Sequence, residues 1–168
     1  MKKGKKTSHS VRYITRSAAI AVIYASLAYV SAPLQLFFFQ FRLSEAMCIL
    51  PIFMPEAIPG LFIGCIIANY LSGAVVFDII FGSIATLIGA LGAYALRRLP
   101  DKLMWMTTLP TVLANAFIVP FVIMYAYGSP ESYLFLAVTV AVGEIVTASL
   151  LGSLFYYRFK DILSRLSQ

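Results

Sequence analysis

Long apolar runs, separated by short polar stretches, make up most of the chain. A bilayer-spanning helix needs about 20 mostly apolar residues, so this pattern predicts six membrane-spanning helices. Their predicted ranges are 14–32, 44–55, 58–74, 77–97, 105–127 and 132–157. The second range is short, and Pro51 and Pro55 interrupt it near its end, but the segment 55–60 is typical of a tight turn into the next helix. We therefore expect an all-α membrane protein, a compact bundle of six transmembrane helices.

Composition supports one membrane unit without a soluble domain. The 168 residues are 61% hydrophobic and 12% charged, whereas globular domains carry about 25% charged residues. The expected organisation is a basic N-terminal tail over 1–13, a membrane domain over 14–157 and a C-terminal tail over 158–168. The two cysteines fall within apolar runs, which favours buried, unreactive thiols.

The distribution of positive charge predicts the orientation of the chain. Of the 13 Lys and Arg residues, twelve lie near the two termini or between the fourth and fifth predicted helices. Since cytoplasmic segments of membrane proteins carry the excess of Lys and Arg, we expect both termini in the cytoplasm. With both termini inside and six helices, the first loop, about residues 33–43, lies on the outer side, and Arg42 is the one basic residue there.

Two polar residues lie near the middle of predicted spans. Glu144 is in the sixth helix and Asn115 in the fifth. A carboxylate at mid-bilayer costs about 2.5–3.5 kcal/mol on insertion scales, and no Lys or Arg lies centrally in a span to neutralise it. Glu144 is therefore either a ligand contact or a protonated carboxyl in a structural hydrogen bond. Asn115 either ties helices together or contacts the same ligand.

A second group of polar residues lies toward the predicted outer side. Glu45 and Asp78 each begin a helix, where the helix dipole alone favours an acid, and Ser44 is a possible cap for the first of them. Arg42 is either an interfacial side chain or a partner of Glu45 three residues on. A binding role is the alternative for all of them, and for their neighbours Gln40, Phe41 and Asn69.

Small residues recur at four-residue spacing along the first predicted helix. Ser17, Ala21 and Ala25 share one face, and such faces allow helices to approach closely in lipid. The partner is either a helix of this chain or a helix of another protein.

Several classes of protein lack their required residues. His9 is the only histidine, which argues against a histidine metal site or a catalytic triad. The sequence GKKT at 4–7 lacks the upstream glycine of a nucleotide-binding loop. We expect a small-molecule binding bundle without a catalytic site, metal or cofactor of its own. The alternative is a small transporter that works without partners.

Four segments carry a resemblance to a known family. They are FRLSEAMCILPIF (41–53), AIPGLFIGCIIANYLSG (57–73), DIIFGSIATLIGALGAY (78–94) and GEIVTASLLG (143–152). The chain resembles the QueT family, queuosine-precursor-specific substrate-binding (S) subunits of energy-coupling-factor (ECF) transporters. The resemblance implies a six-helix fold in the bacterial cell membrane, with a pocket open to the outside and capped by the first loop.

The resemblance also implies partners and a ligand. The partners are a membrane coupling subunit and two ATPase subunits that use the ATP, with Ala21 and Ala25 forming the docking face on helix one. The ligand is a deazaguanine such as 7-aminomethyl-7-deazaguanine. Its two parallel N–H donors suit one carboxylate, either Glu144 or Glu45, and its ammonium suits a second acid such as Asp78. The implied substrate-binding residues are Gln40, Phe41, Arg42, Glu45, Asn69, Asp78, Asn115 and Glu144.

Overall fold

The computed structural model describes residues 3–32 and 41–166. Within these ranges the chain is helical and contains no strand. The α-helices are α1 (Lys3–Ser31), α2 (Ala57–Leu71), α3 (Val76–Ala95), α4 (Leu109–Ala126), α5 (Tyr133–Glu144) and α6 (Gly152–Leu166). Other helical segments are the 3₁₀ helices Leu43–Ile52 and Asp101–Thr108 and the π-helix Ile145–Leu151. The expected all-α architecture is therefore confirmed.

Four helical stretches are long and apolar enough to cross a membrane. They are Ser10–Ser31, Val76–Ala95, Asp101–Ala126 and Tyr133–Arg165. The second and third predicted spans form shorter apolar helices, Leu43–Ile52 and Ala57–Leu71. The membrane character of the bundle is thus supported, while the count of six transmembrane helices stays a prediction.

The segment predicted as the second span is a 3₁₀ helix of ten residues. At about 2 Å rise per residue it extends roughly 20 Å, and Pro51 lies inside it. Ser44, Glu45 and Met47 through Pro51 are all buried, so this helix is enclosed by the other elements. The expected cap is wrong, because the helix begins after Arg42 and no side chain caps it.

Helices α1 and α2 approach each other closely through small residues. A Cβ atom at Gly64 would lie 2.9 Å from the Ala21 carbonyl oxygen and 2.9 Å from Tyr24 Cβ. Both alanines of the small-residue face are buried, Ala21 with 4% and Ala25 with 6% of its surface exposed. This corrects the expectation that Ala21 and Ala25 form a docking face for a partner subunit, because they pack inside the chain.

Several basic side chains of the described residues make polar contacts at one end of the bundle. Arg16 pairs with Glu56 at 3.2 Å, and Ser17 Oγ donates to the Glu56 carbonyl at 2.9 Å. At the same end Asp101 accepts hydrogen bonds from Tyr156 at 2.9 Å and from Lys160 at 3.0 Å. These contacts fasten α1 to the turn before α2, and α6 to the segment before α4.

Orientation in the membrane can be tested with a single introduced cysteine. We expect Ser129→Cys, in the loop between α4 and α5, to react with an impermeant thiol reagent added outside intact cells, because the excess of Lys and Arg in cytoplasmic segments predicts that the basic end faces the cytoplasm. The native thiols should not react with the reagent, since Cys48 and Cys65 are fully buried. Lys102→Cys, at the basic end, is the matched control and should react only in inverted vesicles. The reverse pattern would contradict the predicted orientation.

Candidate functional site

Most of the predicted site residues converge inside the bundle. Glu45, Asn69, Asn115 and Glu144 are buried, although they lie on four different elements. Phe41, Arg42 and Asp78 are partly buried beside them. Gln40 lies outside the described residues. We refer to Arg42, Glu45, Asn69, Asp78, Asn115 and Glu144 as the polar cluster.

Glu45 is held by donors from its own helix and from α1. The Tyr24 hydroxyl donates to Oε1, and the Cys48 thiol donates to Oε2 at 3.1 Å. Both carboxylate oxygens therefore have protein partners. The acid lies in the first turn of the 3₁₀ helix, as the dipole interpretation expects, but its side chain points into the core and joins that helix to α1.

Arg42 neither lies free at the interface nor pairs with Glu45. Its guanidinium donates to Asn69 Oδ1, and the described residues contain no ion pair between Arg42 and Glu45. Asn69 Nδ2 donates in turn to the Asp78 carbonyl at 3.3 Å. Both earlier interpretations of Arg42 are therefore wrong, because the arginine follows the start of the 3₁₀ helix inward and meets α2. Its Nε is buried without a partner among the described residues.

Asp78 connects the outer ends of two helices. Tyr127, just beyond α4, donates to Asp78 Oδ2 at 2.9 Å and accepts from the Val75 backbone N–H at 3.4 Å. Asp78 is in the first turn of α3, which agrees with the dipole interpretation. The other carboxylate oxygen of Asp78, Oδ1, lies near Gly82. A Cβ atom placed on that glycine would be 3.2 Å from Oδ1.

Glu144 and Asn115 are the least satisfied members of the polar cluster. Only 3% of Glu144 and 4% of Asn115 is exposed, and the two side chains are neighbours. Nevertheless, Glu144 Oε2 and Asn115 Nδ2 have no hydrogen-bond partner among the described residues. The two side chains are close enough to interact with each other, and each retains hydrogen-bonding capacity in the interior.

The helix geometry explains how Glu144 comes to be there. It is the last residue of α5, and the π-helix Ile145–Leu151 follows it directly. π-helical turns are rare and frequently accompany functional sites. Thr147 Oγ1 donates back to the Gly143 carbonyl at 2.9 Å, and Ser149 Oγ lies 2.8 Å from Thr108 Oγ1, which braces the wide turn against the segment before α4.

Sequence reasoning missed several residues that build the cluster. Tyr24, Cys48, Cys65 and Thr86 line it, and Thr86 Oγ1 lies 3.4 Å from Cys65 Sγ. The signal for Tyr24 was available, because a tyrosine in the middle of an apolar span needs a partner for its hydroxyl. The cysteines are free and buried, as expected, but each also makes hydrogen bonds.

Buried hydroxyls add further binding capacity to the interior. Ser44 Oγ, Ser83 Oγ and Thr111 Oγ1 have no partner among the described residues. Buried polar groups are normally paired, so these hydroxyls are available to a water molecule or a polar ligand. The polar cluster contains three carboxyl groups and one arginine.

The cluster has no features of a metal centre, and the apolar cavities lie elsewhere. No group of three or more His, Cys, Asp or Glu in the described ranges is arranged to hold a metal ion. A cleft of about 500 Å³ lies between α3 and α4, lined by aromatic side chains such as Phe81 and Phe121. Phe121 packs against Tyr133 of α5, with ring centroids 4.6 Å apart. The lining of the cleft between α3 and α4 is almost wholly apolar, so the cleft does not suit a polar ligand.

A helical membrane bundle with a buried polar cluster is compatible with small-molecule transport. Comparison with protein families agrees, because residues 14–161 match the QueT transporter family. The chain therefore belongs to the QueT transporter family, which is a family of transporters and not of enzymes. No curated protein and no solved structure matches the chain significantly.

Proposed function

We propose that the chain is the substrate-binding subunit of an ECF-type importer in the bacterial cell membrane, and that it captures a queuosine precursor. The polar cluster is the binding site, and the preferred ligand is the aminomethyl form of 7-deazaguanine. Membership of the QueT transporter family supports the transport role. The observation that carries the ligand proposal is the unpaired couple of Glu144 Oε2 and Asn115 Nδ2.

This couple complements the polar edge of a guanine-like base. Such an edge presents a ring N–H and an exocyclic amine beside a carbonyl oxygen. A carboxylate accepts from the two parallel N–H donors, and a neighbouring amide nitrogen donates to the carbonyl. Glu144 and Asn115 offer those two functions at adjacent positions, and charge-assisted hydrogen bonds of this kind are the stronger ones.

The charge of the cluster supports the aminomethyl form. Glu45, Asp78 and Glu144 outnumber the single cation Arg42. Glu45 is already engaged by Tyr24 and Cys48, and Asp78 holds one donor, from Tyr127. An ammonium group on the ligand offsets part of the remaining negative charge, with Asp78 as the proposed acceptor near the outer end.

Energy for uptake is proposed to come from partner subunits. The sequence contains no nucleotide-binding loop of its own, so a coupling subunit and two ATPases would supply the driving force. Because Ala21 and Ala25 are buried against α2, the coupling subunit must dock elsewhere on the chain. The alternative, a self-sufficient transporter, would not need these subunits for uptake into reconstituted vesicles.

Two measurements test the proposal. Mass spectrometry of small molecules released from the purified protein should detect an aminomethyl deazaguanine, and binding of the nitrile analogue, which lacks the ammonium, should be weaker. In vesicles, uptake should require the coupling subunit, the ATPases and ATP together. Uptake by the chain alone would reject the importer assignment, whereas release of an unrelated molecule would reject the ligand.

A further inference from the structure

A half-open groove runs along the outside of the bundle, between the 3₁₀ helix Leu43–Ile52 and the last helix. Leu43 and Ala46 form one wall, and Leu151, Leu154 and Phe155 form the other. The cavity measures about 500 Å³, and Arg158 lies at its border. The groove is therefore apolar along its length and positively charged at one end.

The length of the groove suits the hydrocarbon chain of a lipid. From Leu151 to Arg158 the helix rises about 10 Å at 1.5 Å per residue. One leaflet of a bilayer has a hydrocarbon depth of roughly 15 Å, half of the 30 Å core. An acyl chain lying in the groove thus extends over most of one leaflet. Leu154, with 66% of its surface exposed, faces the space that such a chain fills.

The charged end of the groove is formed by one basic side chain, Arg158. Arg158 is exposed and makes no ion pair among the described residues, whereas its neighbour Lys160 is paired with Asp101. Arg158 lies two residues before Lys160, at the basic end of the bundle. The excess of Lys and Arg in cytoplasmic segments would place this end at the headgroups of the cytoplasmic leaflet. Basic pockets at helix ends attract the phosphates of anionic lipids, with about 1 kcal/mol, or fivefold in affinity, per basic side chain.

We propose that this groove binds an anionic phospholipid, with one acyl chain along Leu151, Leu154 and Phe155 and the phosphate on Arg158. The positive border favours this occupant over an apolar helix of another protein, which would leave Arg158 without a counter-charge. A bound lipid would also cover the side of the 3₁₀ helix that faces the groove. This helix has ten residues, which are too few to span a bilayer alone.

The experiment compares lipids that differ only in charge. The full-length protein is purified in detergent and titrated with phosphatidylglycerol or with phosphatidylcholine of identical chains, and bound lipid is counted by native mass spectrometry. Phosphatidylglycerol should be retained preferentially. Arg158→Gln should reduce that retention about fivefold, and Leu154→Ser should weaken retention of both lipids, since it removes apolar contact within the groove.

Arg165→Gln is the matched control, because Arg165 is an exposed basic residue in the last turn of the same helix and does not line the groove. It should change phosphatidylglycerol retention less than twofold. An equal loss in Arg158→Gln and Arg165→Gln would show diffuse surface attraction and overturn the proposal. So would equal retention of the two lipids by the parent. Full retention in Leu154→Ser, with loss of capture of the coupling subunit, would assign the groove to a protein partner instead.

Discussion

Replacing Glu144 by glutamine is expected to weaken binding of aminomethyl deazaguanine roughly tenfold or more. The substitution keeps the shape of the side chain but puts an N–H donor where the ligand's own N–H donors need an acceptor. Leaving a buried polar group unsatisfied costs about 1–3 kcal/mol, which corresponds to a five- to 150-fold loss in affinity. Isothermal titration calorimetry on the purified variant measures the change directly.

Two further substitutions make this result specific. Glu131→Gln, in the loop after α4, makes the same chemical change outside the polar cluster and should leave the affinity unchanged. Glu45→Gln should mainly lower the thermal unfolding temperature, because Tyr24 and Cys48 already donate to both carboxylate oxygens. A well-folded Glu144→Gln variant with parental affinity would remove Glu144 from the binding site.

Replacing Ala21 by tryptophan is expected to disrupt the bundle, and ligand binding with it. Ala21 is buried where its backbone comes within contact distance of Gly64, so an indole there forces α1 and α2 apart. Overpacking of a close-packed interior typically costs 1–3 kcal/mol and occasionally more. Displacement of α1 also moves Tyr24 away from Glu45. Thermal unfolding monitored in detergent should show a marked loss of stability, accompanied by weaker binding.

Ala18→Trp is the matched control for this change, since Ala18 is exposed although it lies only one turn from Ala21. It should retain the stability and the ligand affinity of the parent. If Ala21→Trp folds and binds like Ala18→Trp, the close contact between α1 and α2 is absent from the protein in the membrane. Partner docking by this face would then become possible again.

Much of the architecture follows from properties that act within one stretch of sequence. Apolar length predicts α3, and the long stretch Tyr133–Arg165 contains the predicted sixth span. The cost of a buried carboxylate singled out Glu144, and the same reasoning singled out Asn115. These two residues prove to be neighbours, although 29 positions separate them in the chain, because each had to avoid lipid and the interior offered the only polar surroundings.

The remaining features depend on contacts between segments, which a periodic pattern does not contain. The spacing of Ala21 and Ala25 indicates a face for close approach, but the partner helix is decided by Gly60 and Gly64 on α2. Likewise, Arg42 has a charged neighbour at a favourable spacing in Glu45, yet it binds Asn69. Spacing along the helix favours a pair between Arg42 and Glu45. The inward course of the chain after position 41 instead brings Arg42 to Asn69.

The π-helix after Glu144 also sets the angular register of the last helix. In a continuous α-helix, Glu144 and Tyr156 are twelve residues apart, which at 100° per residue places them roughly 120° apart around the axis. One wide turn absorbs about one residue's rotation, roughly 100°, and brings the two onto nearly the same side, where both are buried. The number of residues between the buried acid Glu144 and Tyr156, which donates to Asp101, is therefore fixed. A relative with one residue fewer in this interval would turn a different side chain toward its ligand.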